Sequence, residues 1–165
     1  MHVDKHCVKM ILEYAQMLST AHRVLDGNEK IVLSSRNRKV KRYELDDERE
    51  CVLYAAAFVN HPSAVWARSS EENYSYLYRL WACLLQEYTF RYKKSHKTSR
   101  LESTLSTPPR AIARGKFCEP PLAMPEKYKQ LDSAVQSYRS YYLGEKSHMF
   151  SWKSRETPLF VKSIK

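Results

Sequence analysis

His6, Lys9 and Glu13 carry the side chains best suited to acid–base or covalent chemistry in this sequence. Glu13 follows Lys9 by four residues, the spacing at which a helix sets two side chains next to each other. A carboxylate beside an amine can stabilise a developing positive charge and move protons, provided that the pair faces a cleft. The same spacing also favours a solvated ion pair of little energetic value, and both interpretations stand at this point.

Other kinds of site are disfavoured by residue type and spacing. His2 and His6 lie one helical turn apart, but H-E-x-x-H and other dense ligand motifs are absent, so we predict no metal site. The sequence has only three glycines, which exclude a Walker loop, a G-x-G-x-x-G turn and a G-x-S-x-G elbow, and we predict no cofactor. The cysteines form no C-x-x-C pair and are expected to be free thiols in a reducing cytosol. They are Cys7, Cys51, Cys83 and Cys118.

Composition indicates a polyanion-binding protein. Among 165 residues, 28 Lys and Arg face 18 Asp and Glu, which gives a net charge of +10, and 12 Tyr, 3 Trp and 5 Phe are present. Cations with stacking aromatics are typical of nucleic-acid-binding surfaces, although a charge surplus can serve solubility alone. No apolar run approaches the roughly 18 to 20 residues of a membrane span, and the first residues do not form a signal peptide. We therefore expect a cytoplasmic protein without a membrane partner.

The first helix is predicted from an Asp4 N-cap to about Leu25, with Gly27 where it stops. Apolar residues recur at spacings of three and four along one face and polar residues along another. The apolar stripe is Cys7, Ile11, Tyr14, Leu18, Ala21 and Leu25, and the polar stripe is His6, Lys9, Glu13, Gln16, Thr20 and Arg23.

Two further long helices are predicted. Ser69 and Glu72 match a capping box, which starts a helix that runs to about Lys94. Pro125 suits the first turn of the next helix, and Gly144 would end it. The expected buried positions are Tyr74, Leu77, Trp81, Leu84, Tyr88 and Tyr92 on the former, and Tyr128, Leu131, Val135, Tyr138 and Tyr142 on the latter.

The fold class is therefore mainly α: residues 1–165 form a single compact domain of about three long helices with long irregular connections. Residues 26–50 and 98–124 are predicted as long surface loops, the latter because it is rich in Ser, Thr and Pro. The first loop carries five cations in seven positions and then four acids. It could follow a phosphate backbone, or the acids could neutralise it within a solvated loop. The cations are Arg36, Arg38, Lys39, Lys41 and Arg42, and the acids are Asp46, Asp47, Glu48 and Glu50.

Several segments of this chain resemble a family of small phage proteins commonly described as pyrimidine-dimer DNA glycosylases. The likeness spans most of the chain, and the family's functional description rests on a fainter similarity to the phage endonuclease V type of enzyme. The segments that carry it are residues 4–13 (DKHCVKMILE), 60–66 (NHPSAVW), 87–92 (EYTFRY) with Lys94, His96, Lys97 and Thr98, 123–125 (AMP) and 138–142 (YRSYY).

The resemblance implies an all-helical enzyme that flips a base out of duplex DNA and attacks the damaged nucleotide's sugar with an amine. An imine intermediate and strand cleavage by elimination then follow. In this sequence Asp4, His6 and Glu13 fill the positions of the family's D-x-H element and key carboxylate. Leu12 and Gln16 stand where that enzyme type has Arg. The amine is either the N-terminal one or Lys9, which lies one turn from Glu13.

Double-stranded DNA, damaged at a pyrimidine dimer or an abasic site, is thus the expected partner. Base flipping requires cations along the backbone and aromatic groups that replace the lost stacking. The predicted phosphate contacts are Arg23, Arg68, Arg91, His96, Lys97, Arg139 and Lys153, and the predicted stacking residues are Tyr141, Tyr142 and Trp152.

Two alternatives remain open. The same surface could serve a non-catalytic phage DNA-binding module, in which Glu13→Gln would do almost nothing. The other alternative is an accessory protein that binds a host protein or a small molecule. In that case His6, His61 and His96 would line a small pocket. Binding that is insensitive to salt would favour the accessory protein, because phosphate contacts make affinity fall with salt.

Overall fold

The computed structural model describes residues 2–130 and 133–162, and the predicted mainly α fold is confirmed. Helices form most of the regular structure, with one two-stranded antiparallel sheet beside them. None of the helices in these ranges is both long and apolar enough to cross a bilayer. In chain order the elements are α1 (Asp4–Asp26), β1 (Asn28–Leu33), β2 (Lys39–Glu44), α2 (Arg49–Val52), α3 (Pro62–Ala67), α4 (Glu71–Tyr92), a 3₁₀ turn (Lys97–Leu101), α5 (Glu102–Leu105), a 3₁₀ turn (Glu126–Tyr128), α6 (Ala134–Glu145), a 3₁₀ turn (Ser147–Met149) and α7 (Leu159–Lys162).

Helix α1 matches its prediction closely. Cys7, Ile11 and Leu18 of the apolar stripe are fully buried, because their spacing places them on one face against α4. Asp4 is the first helical residue rather than the N-cap, a position that Val3 occupies without a side-chain hydrogen bond. The Asp4 carboxylate is engaged elsewhere, as described below.

Helix α4 supplies the other half of the core. Trp81 is fully buried, and its indole N–H donates to the Ile11 carbonyl of α1 at 3.0 Å, which ties the two helices together. The predicted capping box is wrong in detail. Ser70 rather than Ser69 caps the helix and accepts from the Asn73 N–H, while the Glu72 carboxylate accepts from the backbone of Phe117.

The predicted surface loop 26–50 is wrong, because most of it is a β-hairpin. β1 pairs with β2 in a register that joins Asn28 to Glu44 and Leu33 to Lys39. In the sequence this segment is recognisable only by its many cations, which suggested a solvated loop. Exposure of both faces explains why no apolar alternation marks the strands.

The second predicted loop, 98–124, is irregular only in its later part. Its beginning forms a 3₁₀ turn and α5, in which Leu101 and Leu105 are fully buried. The rest runs as an extended strap over α3 and α4, where Trp66 Nε1–H donates to the Cys118 carbonyl at 2.8 Å. Asn73 Oδ1 accepts from the Cys118 N–H at 3.0 Å and holds the strap from the other side.

The third long helix begins later than predicted. The segment after Pro125 forms a short 3₁₀ turn, and α6 starts at Ala134 with Ser133 as its N-cap. Of its predicted stripe, Leu131 lies outside the described residues, Val135 is exposed, and Tyr138 and Tyr142 are half-buried. The reason is that α6 borders an open cavity instead of the core.

The C-terminal segment packs against the start of α1. The Asp4 carboxylate accepts from Ser151 Oγ at 2.6 Å and from the Lys153 N–H at 3.0 Å, and it also pairs with Arg91 at 2.9 Å. Trp152 is buried beside this junction. These contacts fix the end of α1 that carries His6.

Candidate functional site

A cavity of about 560 Å³ lies between α1, α3, α4, the strap and α6. This volume falls within the range of roughly 300 to 1,000 Å³ that is usual for small-molecule sites. Its walls are mainly aromatic and apolar. They include Met10, Tyr14, Met17, Trp66, Tyr76, Leu77, Leu80, Phe117, Pro120, Pro121, Tyr138, Tyr141, Tyr142 and Phe160, with His2, His6, Ser63, Glu119 and Arg139 as polar members.

Helix α1 presents a second face to this cavity. His6, Met10 and Tyr14 of α1 recur every four residues beside the core stripe, and His2, which precedes the helix, continues the same spacing. From the sequence, Tyr14 was expected in the core and Met10 had no assigned role. Apolar residues next to a core stripe look like part of a broader buried face, so the sequence does not separate the two faces. The signal that marks it is the placement of two histidines within that repeat.

His6 is half-buried in the cavity wall and forms a hydrogen bond with Tyr142 of α6. The two rings meet edge-on with centroids 5.5 Å apart. Burial raises the pKa of Tyr142 to about 12, and burial together with Lys9 and Lys146 lowers the pKa of His6. A neutral imidazole and a protonated phenol follow. Because the Tyr142 hydroxyl has no other acceptor among the described residues, we assign it as the donor and His6 Nδ1 as the acceptor.

The proton of this neutral His6 then resides on Nε2. In the described part of the chain His6 Nε2 has no hydrogen-bond partner, and His6 lines the cavity. His6 therefore offers one N–H donor to a ligand. A carbonyl oxygen of a pyrimidine is a suitable acceptor for it.

His2 forms a similar pair within the same wall. Its Nε2 lies 3.0 Å from the Tyr14 hydroxyl, and burial lowers the pKa of His2 to about 4 while raising that of Tyr14. Both histidines of this face are thus neutral at pH 7. The wall is polar in its hydrogen-bonding groups but carries no charge of its own there.

Lys9 and Glu13 form the predicted ion pair at 3.1 Å on the exposed side of α1. The side chains are 66% and 38% exposed, and neither lines the cavity. Both charges nevertheless act on the His6 imidazole, Lys9 lowering its pKa and Glu13 raising it. The three predicted catalytic residues are therefore close together, with His6 in the wall and the ion pair outside it.

Two of the predicted phosphate contacts are buried and structural. Arg23 is 5% exposed and donates to Glu50 and to the carbonyls of Tyr43, Leu53 and Tyr54. Arg91 is 1% exposed and pairs with Asp4 and Glu87. Neither guanidinium can reach a phosphate, because the core and its acids enclose both.

Arg68 and His96 are half-buried. Arg68 Nη1 is buried without a hydrogen-bond partner among the described residues, and His96 caps the 3₁₀ turn by accepting from the Thr98 N–H at 3.2 Å. Lys97, Arg139 and Lys153 are exposed. Of these, Arg139 borders the cavity.

The predicted stacking residues divide in the same way. Tyr141 and Tyr142 line the cavity, whereas Trp152 is 9% exposed and packs on Phe150 with ring centroids 5.1 Å apart. Trp152 is therefore part of the packing of the tail. The pocket of His6, His61 and His96 considered for an accessory protein is not formed. Of these three, His6 alone lines this cavity, His61 is exposed, and His96 lines a different pocket.

Glu119 is a cavity residue that the sequence did not indicate. Its carboxylate accepts from the Ala134 N–H at 3.1 Å and so holds the first turn of α6. The described residues contain no group of three or more His, Cys, Asp or Glu side chains that could hold a metal ion. Comparisons with protein-family models, curated proteins and solved structures find no match for this chain.

Proposed function

We propose that this protein is a DNA-damage glycosylase and lyase that extrudes a damaged pyrimidine, or the sugar of an abasic site, from duplex DNA at the cavity of α1 and α6. One observation carries the proposal: an aromatic cavity of base-accepting size has a free His6 N–H in its wall and the Lys9–Glu13 pair next to that histidine. The resemblance of residues 4–13 to the phage glycosylase family points to the same helix.

Aromatic walls suit an extruded base because stacking on side chains replaces the stacking lost in the duplex, at roughly 1 to 3 kcal/mol per base. The neutral His6 imidazole can hydrogen-bond the Watson–Crick edge of a pyrimidine. Arg139 at the border and Lys9 outside the wall are placed to attract the flanking phosphates.

With the base inside, its sugar would lie at the mouth of the cavity, beside Lys9 and Glu13. Attack of the Lys9 amine on C1′ breaks the glycosidic C1′–N bond, and the base leaves with the electron pair and takes up a proton. Loss of a proton from nitrogen and opening of the sugar ring give the imine, and removal of a C2′ proton expels the 3′ phosphate. Glu13, 3.1 Å from Lys9 Nζ, can take the proton that the Lys9 ammonium must lose before it attacks, and this proton can then pass to the leaving base.

Phe58, in the connection between α2 and α3, is a candidate for filling the gap that an extruded base leaves in the duplex. This side chain is 76% exposed, and its φ of 51° lies in the left-handed region, which is costly for a bulky residue. Thr20 holds the loop through both the N–H and the carbonyl of Ala57. An exposed aromatic side chain on a fixed loop can fill the gap that an extruded base leaves.

Borohydride trapping tests the proposal. Purified protein is mixed with labelled duplexes that carry a thymine dimer, an abasic site or neither, and covalent complexes are resolved on a denaturing gel. We expect a damage-dependent complex that Lys9→Met abolishes and that the matched Lys5→Met, on an exposed residue of the same helix, leaves intact. Glu13→Gln should reduce turnover by about 10²- to 10⁴-fold while duplex binding is retained.

A complex that persists in Lys9→Met and maps to the N-terminus would transfer the role of nucleophile to the terminal amine. The absence of any complex, with duplex binding intact, would contradict the lyase activity and favour a non-catalytic DNA-binding module.

The mainly apolar lining of the cavity also favours a second candidate, an accessory protein that binds a free small aromatic molecule. Its binding would be insensitive to salt, whereas binding of duplex DNA weakens as salt is raised. A salt titration of binding therefore separates the two functions.

A further inference from the structure

We propose that the β1–β2 hairpin, residues 28–44, is a second DNA-contacting region that lies in a groove of the duplex, apart from the cavity. The inference rests on the proposed function for the identity of the polyanion. It is carried by charges, exposure and strand register that play no part in the cavity.

Four cations of the hairpin have no acidic partner among the described residues. Near its base, Lys30 pairs with Glu44 at 2.5 Å and Lys41 pairs with Glu29 at 2.7 Å. The remaining cations of the hairpin are exposed and make no ion pair within residues 2–130 and 133–162. They are Arg36, Arg38, Lys39 and Arg42.

Two of the four acids that follow the hairpin are engaged by arginines outside it, while Asp46 and Glu48 are exposed and make no ion pair among the described residues. Asp47 turns to Arg49 and Arg110, and Glu50 turns to the buried Arg23. These three ion pairs engage Asp47 and Glu50 outside the hairpin, and residues 28–44 themselves carry six Lys and Arg against two Glu. A net positive field is therefore left on the hairpin, and it attracts a polyanion.

One face of the hairpin combines Lys39 and Lys41 with exposed aliphatic side chains, whereas Arg42 lies on the other face beside Lys30. Ile31 is 67% exposed and Leu33 is 63% exposed. Because directly paired residues share a face, Ile31 lies beside Lys41 and Leu33 lies beside Lys39. The major groove admits a two-stranded ribbon, in which apolar side chains contact thymine methyl groups and flanking cations contact phosphates.

A second copy of this chain is a poorer occupant of the same face. A twofold contact would oppose the lysines and arginines of one ribbon to those of the other, and like charges at an interface cost energy. The hairpin is also fixed to α1, since Arg23 Nη1 donates to the Tyr43 carbonyl at 3.0 Å. Its presentation to a duplex thus needs little ordering on binding.

Fluorescence anisotropy with an undamaged labelled duplex, measured over a range of salt, tests the inference. The Arg36→Ala/Arg38→Ala variant should bind at least tenfold more weakly. The slope of log affinity against log salt should fall by about 2, because each lost phosphate contact removes about 0.9. The matched control, Arg79→Ala/Arg114→Ala, removes two exposed cations from elsewhere and should change the slope by less than half as much.

Ile31→Ser/Leu33→Ser should weaken binding several-fold and leave the salt slope unchanged. Equal losses in the arginine variant and its control, or unchanged binding in the arginine variant, would overturn the inference. So would a wild-type dimer in sedimentation that the serine variant dissociates. If trapping fails while hairpin-dependent binding remains, the glycosylase proposal falls alone; if trapping succeeds without hairpin dependence, the hairpin inference falls alone.

Discussion

Two His–Tyr pairs, sixteen residues apart on α1, show how the same chemical pair serves different ends. His6 meets Tyr142 at the cavity, and His22 meets Tyr74 in the core. Both pairs are edge-on, with ring centroids 5.5 and 5.6 Å apart. The pairs differ in what happens to their remaining polar atoms.

At His22 every polar atom of the pair has a partner. Tyr74 donates to the Leu105 carbonyl at 2.9 Å, so His22 Nε2–H donates to Tyr74, and His22 Nδ1 accepts from Arg49 at 2.9 Å. At His6 one N–H is left over. A fully paired histidine stabilises the fold, whereas one with a spare donor in a cavity wall is available to a ligand.

The largest expected effect is on stability, at the C-terminal end of α1, where His22 and Arg23 are buried. Arg23→Ala should lower the free energy of unfolding by about 3 to 5 kcal/mol, because it leaves Glu50 and several carbonyls without their charged partner. Urea denaturation measures the change. Arg139→Ala, on an exposed cavity residue, is the matched control and should stay within about 0.5 kcal/mol; similar small losses in both variants would contradict the structural role of Arg23.

The pH dependence of stability should also distinguish His22 from His6. Burial lowers the pKa of His22 from 6.5 to about 4, so the unfolded chain takes up this proton first as the pH falls. The contribution of His22 is complete above pH 6.5 and is lost between pH 6.5 and 4, at a cost of up to about 3 kcal/mol. His22→Gln should flatten that part of the stability profile, whereas the half-buried His6→Gln should change it less. Identical profiles for the two variants would oppose the comparison.

At the N-terminal end of α1, where His6 lines the cavity, a substitution should change ligand binding rather than stability. His6→Phe keeps a ring in the wall but removes the donor, so affinity for an extruded pyrimidine should fall about tenfold, equivalent to one hydrogen bond. The free energy of unfolding should change by less than about 1 kcal/mol. Competition between damaged and undamaged duplexes reads the first quantity, and a variant that loses stability but not preference would reverse the assignment.

The smallest expected effect on stability is at Phe58. Phe58→Gly should be neutral or stabilise the fold by up to about 1 kcal/mol, because glycine relieves the left-handed backbone. Base extrusion should fall several-fold, since the aromatic side chain no longer fills the gap. A Phe58→Gly variant that extrudes a base as well as wild type would remove Phe58 from the account.

The parts of the fold that local periodicity defines could be predicted from the sequence. Most of the stripes through Ile11 on α1 and Trp81 on α4 is buried as expected, because each follows the helical repeat over several turns. Tyr14, Leu25 and Tyr92 are only half-buried, and Thr20 and Arg23 of the predicted polar stripe are buried. The hairpin and the late start of α6 could not be predicted in this way. Exposed strands carry no apolar alternation, and Pro125 is as compatible with a 3₁₀ turn as with an α-helix.

The candidate site was predicted only in part. His6 and Tyr142 meet across 136 positions of sequence, a pairing that no local pattern contains. Arg23 and Arg91 are cations of the type that binds phosphate, and their interior positions depend on Glu50 and Asp4, which the fold brings to them. Glu87 is a local partner, one turn before Arg91 on α4. Residue type indicated the chemistry, whereas long-range packing decided which cations remain accessible.

Extrusion of a base into the cavity is the central claim, and the fluorescence of 2-aminopurine tests it most directly. A duplex with 2-aminopurine beside the lesion is titrated with protein, since extrusion of the neighbouring damaged base unstacks the probe and raises its emission. We predict a rise with wild-type protein that is at least halved in His6→Phe and unchanged in Lys5→Met. Tight binding without any rise would contradict the account, because the base would then have stayed stacked in the duplex.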